Sequence, residues 1–326
     1  MLTKEISEAI DNFILGVSRK QSGHSLRRAL DAANIIKQIV NMSRWENINE
    51  LLSIVQNAGE KIIKAQPKDL VMFNVICRMK YLIRFEAGDT KLNNDVPEKH
   101  ILRTPMESGM STPVMALGHS NSGSVGNLIQ LVNSNLNKKP DDQFQAKMNL
   151  KNNIIQGLND FIDELENTRQ NIASHASDHI HSNEIIMTCG HSKTVEMYLK
   201  SAARKRRFMV IITESAPSYK GHDLAKSLSG PNIEAIVIPD AAVFAMMSRV
   251  NKVILGTHTI MANGGLISDA GTQMIATAAK YHSIPVVVCA GLYKLSPIFP
   301  FDQDRFNTLE SPDGIFPYKD GNVKQY

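Results

Sequence analysis

A cysteine near the middle of the chain occupies a position that often carries chemistry. Cys189 follows an apolar run at 184–188 and precedes Gly190, His191 and Ser192, after which a helical pattern begins. Backbone N–H groups at such a helix start favour anions and lower the pKa of a nearby thiol. Cys189 is therefore a candidate catalytic or anion-binding residue. The alternative is a small residue that fits a tight turn between strand and helix, and the residues alone favour this alternative.

Three later turns carry polar side chains that could meet Cys189. Glu214 follows a second apolar run, His258 follows another, and Asn263 and Gly264 lie in the next turn. Asn-Gly-Gly is first a turn pattern and only second a ligand loop. The sequence has no Gly-x-Gly-x-x-Gly motif, P-loop or Ser-His-Asp spacing, so we expect neither a dinucleotide nor a nucleoside triphosphate site.

Five apolar runs predict the elements that position these turns. The runs lack polar alternation, which is typical of parallel strands covered on both faces. They occupy residues 184–188, 208–213, 233–238, 252–256 and 284–289, and helical patterns at 193–204, 222–229, 241–248 and 269–282 separate them. Right-handed crossovers place the following turns along one edge of the sheet, where doubly wound sheets bind ligands. The sequence thus predicts a Rossmann-like α/β domain with a mostly parallel sheet over residues 182–326.

The rest of the chain is predicted to be helical apart from one polar stretch. Residues 1–86 carry apolar side chains at helical spacing and predict a helical bundle, with Trp45 as a packing anchor. Residues 87–140 are rich in Gly, Pro, Ser and Asn and predict a flexible linker, with one short helix at 125–136. Residues 141–181 keep one apolar face and predict a long helix that bridges the two halves.

Composition and charge exclude several classes of function. The chain has 326 residues, of which 43% are hydrophobic and 21% charged, and its net charge of +4 is too small to indicate nucleic-acid binding. Three distant cysteines and the absence of a membrane-length apolar run lead us to expect a cytoplasmic protein. The basic run at 204–207 is best explained as a complement to a helix dipole, with a phosphate or partner contact as the alternative. His175, His179 and His181 lack the pattern of a metal site and are expected on the surface, so no metal is predicted.

Several long strings then identify a family. IIMTCGHSKTVEMYL, MSRVNKVILGT and YKLSP resemble the regulatory alpha, beta and delta subunits of the eukaryotic translation initiation factor two-B complex, and the beta members most. The resemblance is strong over residues 154–311, weaker in the amino-terminal helices and missing over 87–140. It implies a Rossmann-like domain preceded by helices. The family continues past this chain's last residues with a further strand and helix, so we expect the carboxyl end of the domain to be incomplete.

The same superfamily contains sugar-phosphate isomerases, which share the resemblance. In those enzymes a cysteine works with an aspartate, and here Cys189 falls on the cysteine position while His258 occupies the aspartate position. The exchange removes the carboxylate that takes part in proton transfer in those enzymes. The resemblance therefore implies at most a vestigial sugar-phosphate pocket, and its residues are Cys189, Gly190, Ser192, Glu214, His258, Asn263 and Gly264.

The resemblance implies a non-catalytic, cofactor-free subunit of a guanine-nucleotide exchange factor. Such a subunit pairs with delta through its Rossmann-like domain, contacts translation initiation factor two through its helices, and helps sense phosphorylation of the alpha subunit of that substrate. Two alternatives are an aldose-ketose isomerase that uses Cys189 and a ligand-binding module that forms a homodimer. The apolar stretch at 293–301 and the helix at 268–282 are expected at the subunit interface. The individual residues expected there are Tyr293, Lys294, Leu295, Ile298 and Phe299.

Overall fold

The helices of the amino-terminal half pack through stripes of apolar side chains. The computed structural model describes residues 4–18, 24–87, 140–300, 306–307 and 312–315. The first helices are α1 (Lys4–Ser18), α2 (Ser25–Met42), α3 (Ile48–Ala65) and α4 (Leu70–Glu86). The predicted linker lies almost wholly, and the predicted helix at 125–136 wholly, outside the described residues. Among those residues, no helix combines the length and apolar character that crossing a lipid bilayer requires.

Helical spacing explains why α2 is buried along one side. Ala29, Ala33, Ile36 and Val40 follow one another at intervals of three or four residues and are all fully buried. Trp45, in the connection after α2, is also buried in this core, which confirms its predicted packing role. At the next connection the Asp69 side chain accepts a hydrogen bond from the Val71 N–H group and caps the start of α4.

A long helix, α5 (Pro140–Ser174), contributes side chains to two cores. Ile154, Leu158 and Leu165 are buried with α2, α3 and α4, whereas Ile172 packs against the core of the α/β part. The sequence predicted that this helix continues to residue 180 or 181. Instead it ends at Ser174 and is followed by the short helix α6 (Ala176–His179).

The predicted parallel sheet is confirmed. It contains β1 (Ile185–Cys189), β2 (Phe208–Thr213), β3 (Ile233–Ile238), β4 (Lys252–Gly256) and β7 (Val286–Cys289), in the order β3-β2-β1-β4-β7. A small antiparallel hairpin of β5 (Thr259–Ile260) and β6 (Leu266–Ile267), which the sequence did not predict, follows β4. The chain turns from one side of β1 to the other after β3, so the carboxyl ends of β1 and β4 flank the topological switch point.

Helices cover both faces of the sheet and leave its carboxyl edge open for the turns. The helices are α7 (Lys193–Ala203), α8 (Lys220–Leu228), α9 (Val243–Met247), which a 3-10 turn at Asp240–Ala242 precedes, and α10 (Thr272–Tyr281). Side chains of α7 and α8 share a core with Val210 and Ile254. Side chains of α9 and α10 form a second core with Met187 and Leu255 on the opposite face. Burial on both faces explains why the strands lack polar alternation.

Candidate functional site

Cys189 lies at the end of β1, where the chain turns sharply towards α7. Its sulfur is 3.4 Å from the Ser215 hydroxyl oxygen and donates a long hydrogen bond of 3.8 Å to the Ala270 carbonyl. Gly190 has a φ of 63°, a left-handed conformation that favours glycine and allows the turn. Neither a hydroxyl nor a carbonyl is the adjacent general base that usually activates a nucleophilic cysteine.

The turn after β2 brings Ser215, rather than Glu214, towards Cys189. The backbone N–H of Glu214 donates to the Ile238 carbonyl at 3.0 Å, which continues the strand pairing. The Asp240 carboxylate accepts hydrogen bonds from the Ser215 N–H at 3.1 Å and from the Ala216 N–H at 2.8 Å. Sequence reasoning missed both Ser215 and Asp240. Their positions directly after neighbouring strands were the available signal.

His258 faces a carboxylate that sequence reasoning also missed. Its Nε2 is 3.0 Å from Oδ1 of Asp269, just before α10. The hydrogen bond from His258 lowers the pKa of Asp269, and this effect outweighs partial burial, which acts in the opposite direction. A Cβ atom built on Gly190 would lie 3.7 Å from the other Asp269 oxygen, so the carboxylate faces the Cys189 turn. A histidine therefore stands where the isomerases that the sequence resembles have an aspartate, but the carboxylate of Asp269 faces the turn that carries Cys189.

The side chains of Ser192 and Asn263 contact neighbouring segments of the chain. Ser192 occupies the cap position of α7, but within the described residues its side chain makes no capping hydrogen bond. A Cβ built on Gly256 would lie only 2.6 Å from the Ser192 hydroxyl, so this side chain packs against the end of β4. The Asn263 side-chain oxygen accepts a hydrogen bond from the Gly265 N–H at 3.0 Å, and Gly264, with a φ of 78°, forms the tip of the β5–β6 hairpin. The structure gives no contact between this hairpin tip and Cys189.

Two residues expected at the subunit interface, Lys294 and Tyr293, make contacts within the chain. Lys294 is only 5% exposed and donates a hydrogen bond of 2.7 Å to the Thr257 carbonyl. Tyr293 is half-buried against the helical core, and its carbonyl accepts a hydrogen bond from the Asn74 side chain at 3.3 Å. These contacts join the helices to the sheet edge. They hold the Lys294 side chain inside the fold, whereas Tyr293 stays partly exposed.

Burial of Lys294 predicts a specific dependence of stability on pH. Burial, and secondarily the charge of Arg169, lower the pKa of Lys294 from 10.5 to about 8. Between these values the unfolded chain binds more protons, so this lysine makes the folded state more stable as the pH rises. We expect the free energy of unfolding of the wild type, relative to that of Lys294→Met, to increase from pH 8 to pH 10.5. Urea denaturation across this range measures it.

The exposed Lys205 supplies the control for that experiment. A Lys205→Met variant should show no comparable change relative to the wild type, because Lys205 lacks the burial that acts on Lys294. A flat difference for Lys294→Met would contradict the assignment of Lys294 as a buried cation.

The remaining residues of the expected interface present an apolar surface. Leu295 is 49% exposed and Phe299 is 55% exposed, while Ile298 is partly buried. On another part of the α/β unit, the exposed rings of Phe244 and Tyr281 lie 5.1 Å apart. Exposed apolar side chains of this size are typical of surfaces that contact other proteins.

No metal centre is found in the described part of the chain, where no group of three or more His, Cys, Asp and Glu side chains is close enough to hold an ion. His175, His179 and His181 are all exposed, as predicted. The 3.9 Å contact between His175 and Asp178 lies at the surface.

Comparison with known proteins finds similarity to one family over nearly the whole chain. Residues 21–325 match the Initiation factor 2 subunit family. Over 331 residues the chain is 39% identical to the translation initiation factor eIF2B subunit beta of Dictyostelium discoideum, covering 97% of this chain and 85% of that protein. The crystal structure of eIF2B beta from Chaetomium thermophilum is similar with a TM-score of 0.69 and 29% identity, covering 90% of this chain and 78% of that one. A chain of the tetrameric eIF2B-beta2-delta2 complex from C. thermophilum gives a TM-score of 0.68 and 27% identity, covering 90% of this chain and 81% of that one.

Proposed function

This chain belongs to the initiation factor 2 subunit family, and we propose that it is a beta-type regulatory subunit of the guanine-nucleotide exchange factor for translation initiation factor two. The observation that carries the proposal is the 39% identity to a beta subunit over 97% of the chain. Similarity that extends through the helices as well as the sheet supports a shared role rather than a shared fold alone. Because the relatives are translation initiation factors, we place the protein in the cytoplasm.

The proposed partners are a delta-type subunit and the other subunits of the exchange factor. The similar structure from C. thermophilum is a complex of beta and delta subunits, which supports pairing of this kind. In this chain, Leu295 and Phe299 offer exposed apolar side chains close to the sheet edge, and Phe244 with Tyr281 offers a second apolar surface. Burial of such surfaces stabilises obligate complexes.

We also propose that the amino-terminal helices contact translation initiation factor two. The α4 helix has an exposed pair of stacked rings, Tyr81 and Phe85, with centroids 6.2 Å apart, and the Arg78 guanidinium lies 5.4 Å from the Tyr81 ring. Aromatic and arginine side chains are enriched in protein interfaces. If phosphorylated and unmodified substrate bind with different affinity to different states of the complex, the substrate itself shifts the population between these states.

The proposal assigns no catalytic step to the crevice. Cys189 contacts a hydroxyl and a carbonyl, and Asp269, the carboxylate that faces it, is hydrogen-bonded to His258. A lowered pKa keeps Asp269 ionised near neutral pH, so it is a poor proton donor. Cys189, Gly190, Ser192 and His258 remain candidates for a vestigial sugar-phosphate pocket. Glu214, Asn263 and Gly264, which make no hydrogen bond to Cys189 in the described part of the chain, also remain candidates for that pocket.

Replacement of Cys189 is the experiment that separates a regulatory subunit from an enzyme. We expect the complex containing Cys189→Ala to stimulate nucleotide exchange on translation initiation factor two within about twofold of the wild-type complex. A complex that lacks this chain should lose regulation by the phosphorylated substrate. Exchange is measured by release of labelled GDP from the substrate, with and without phosphorylation of its alpha subunit.

The same preparations test the enzymatic alternative. Incubation of the purified chain with an aldose phosphate should give no ketose. Ketose formation that Cys189→Ala abolishes would overturn the non-catalytic assignment. Failure of the chain to enter any complex with delta-type and other exchange-factor subunits, judged by the mass of the purified assembly, would overturn the subunit assignment.

A further inference from the structure

A cleft between α5 and α7 lies beside, and not within, the group of turns at the sheet edge. Its volume is about 340 Å³, at the lower end of the range of about 300–1,000 Å³ typical of small-ligand sites. One face of α7 and the last turns of α5 form its walls, because these two helices pack side by side. The lining residues are Arg169, Gln170, Ala173, Lys193, Glu196, Met197, Lys200, Ser201 and Arg204.

The charge of the cleft is strongly positive. Four cationic side chains and one carboxylate line it. The carboxylate, Glu196, is already paired: Lys200 donates to it at 2.7 Å, Lys193 at 3.0 Å, and His191 lies 2.9 Å away. Burial alone would raise the pKa of Glu196, but these hydrogen bonds together hold it well below its usual range. Glu196 therefore stays ionised, and its carboxylate holds the side chains of two lysines along the cleft.

Two arginines also line the cleft, and they are not among the residues that contact the Glu196 carboxylate. The Nε of Arg169 is buried and has no hydrogen-bond partner among the described residues. Because this nitrogen is buried, a contact between Arg169 and an anion in the cleft would be made by the terminal nitrogens of its guanidinium group. Arg204, at the end of α7, is exposed and belongs to the basic run at 204–207. A planar guanidinium suits the oxygens of a phosphate group.

The rest of the lining is apolar or neutral. Met197 is 37% exposed on the cleft side of α7, and Ala173 is buried in the α5 wall. The cleft therefore provides cationic contacts together with a small apolar surface for a carbon skeleton. From this combination we infer that the cleft binds a small phosphorylated metabolite, with Arg169 and Arg204 at the phosphate and Met197 against the organic part. This site is separate from the crevice at Cys189 and does not depend on the proposed subunit role.

Binding to the full-length chain tests the inference. The probes are adenosine monophosphate, inorganic phosphate and uncharged adenosine, titrated at constant ionic strength and followed by isothermal calorimetry. We expect adenosine monophosphate to bind more tightly than inorganic phosphate, and adenosine not to bind. Arg204→Gln should weaken binding by about tenfold or more, because charge-assisted hydrogen bonds to phosphate are among the stronger polar contacts. Arg169→Gln should weaken binding to a similar extent. Thermal unfolding of this variant without ligand shows whether it is folded.

Two variants serve as controls. Lys205→Gln removes the same charge from the neighbouring, exposed position outside the cleft, and should bind within about twofold of the wild type. Asn263→Ala alters the hairpin at the sheet edge and should also leave binding unchanged. The inference is overturned if the wild type shows no saturable binding of any probe, if Arg204→Gln and Lys205→Gln behave alike, or if Asn263→Ala removes the binding.

Discussion

Aspartate at Leu295 or Phe299 should weaken association with a delta-type subunit by at least about 30-fold. Both side chains are about half exposed, at 49% and 55%, and both follow the Lys294 anchor that fixes this stretch to the sheet edge. A large apolar side chain at the centre of an interface typically contributes about 2 kcal/mol or more, and a buried unpaired carboxylate adds a further penalty. Co-purification and sedimentation of the paired subunits measure the association.

Met148→Asp is the matched control for this prediction. Met148 is 53% exposed on α5, in the half of the chain that is not proposed to pair with delta. It should associate within about twofold of the wild type. If Leu295→Asp and Phe299→Asp both remain folded and pair normally, the surface around them is not the subunit interface. Loss of pairing in Met148→Asp alone would instead move the interface to the helices.

The strands could be predicted because burial on both faces leaves a continuous apolar run. The bounds of β2, β3 and β4 agree with the runs at 208–213, 233–238 and 252–256. At β7 the apolar run begins at residue 284, but the strand begins at Val286. The Ile284 N–H donates to the Ala279 carbonyl at the end of α10, and Pro285 has no N–H to donate. Apolar character alone does not show such competition for backbone hydrogen bonds.

The end of α5 could not be predicted for a related reason. The Ser174 hydroxyl donates to the Asn171 carbonyl at 2.7 Å, and the His175 N–H bonds to the Ile172 carbonyl three residues back. Both bonds tighten the last turn and stop the helix. Ile180 nevertheless remains fully buried, in the core that α7 and α8 share with the sheet. The apolar pattern therefore continues across the break and conceals it.

At the candidate site, the sequence located the turns but not the contacts between side chains. Parallel topology was sufficient to place Cys189 and His258 along one edge. The pairing of His258 with Asp269 depends on how the segment after β6 folds back, and the inward direction of Lys294 depends on its contact with the Thr257 carbonyl. Neither follows from spacing along the chain, because each joins segments whose relative positions only the folded structure fixes.

Gly221→Ala should destabilise the protein by about 3–5 kcal/mol or prevent it from folding. Gly221 is buried in the first turn of α8, and a Cβ built on it would lie 2.0 Å from the Thr213 carbonyl oxygen at the end of β2. The obstacle is backbone, so no side-chain rotation can relieve it, and either the helix or the strand end must move. A loss of this size is a large part of the stability of a typical domain, about 5–15 kcal/mol. Urea denaturation of the purified chain, together with its soluble yield, measures the effect.

Gly230→Ala, in the loop before β3, separates this steric effect from the general consequences of replacing glycine. A Cβ at Gly230 would come no closer than 3.7 Å to another atom, the Leu228 carbonyl oxygen, which is an ordinary contact. Its free energy of unfolding should therefore stay within about 1 kcal/mol of the wild-type value. If Gly221→Ala were equally mild, α8 could not lie directly against the end of β2. The loop carrying Ser215 would then be held by its hydrogen bonds, among them those to the Asp240 carboxylate, and not by the packing of α8 against β2.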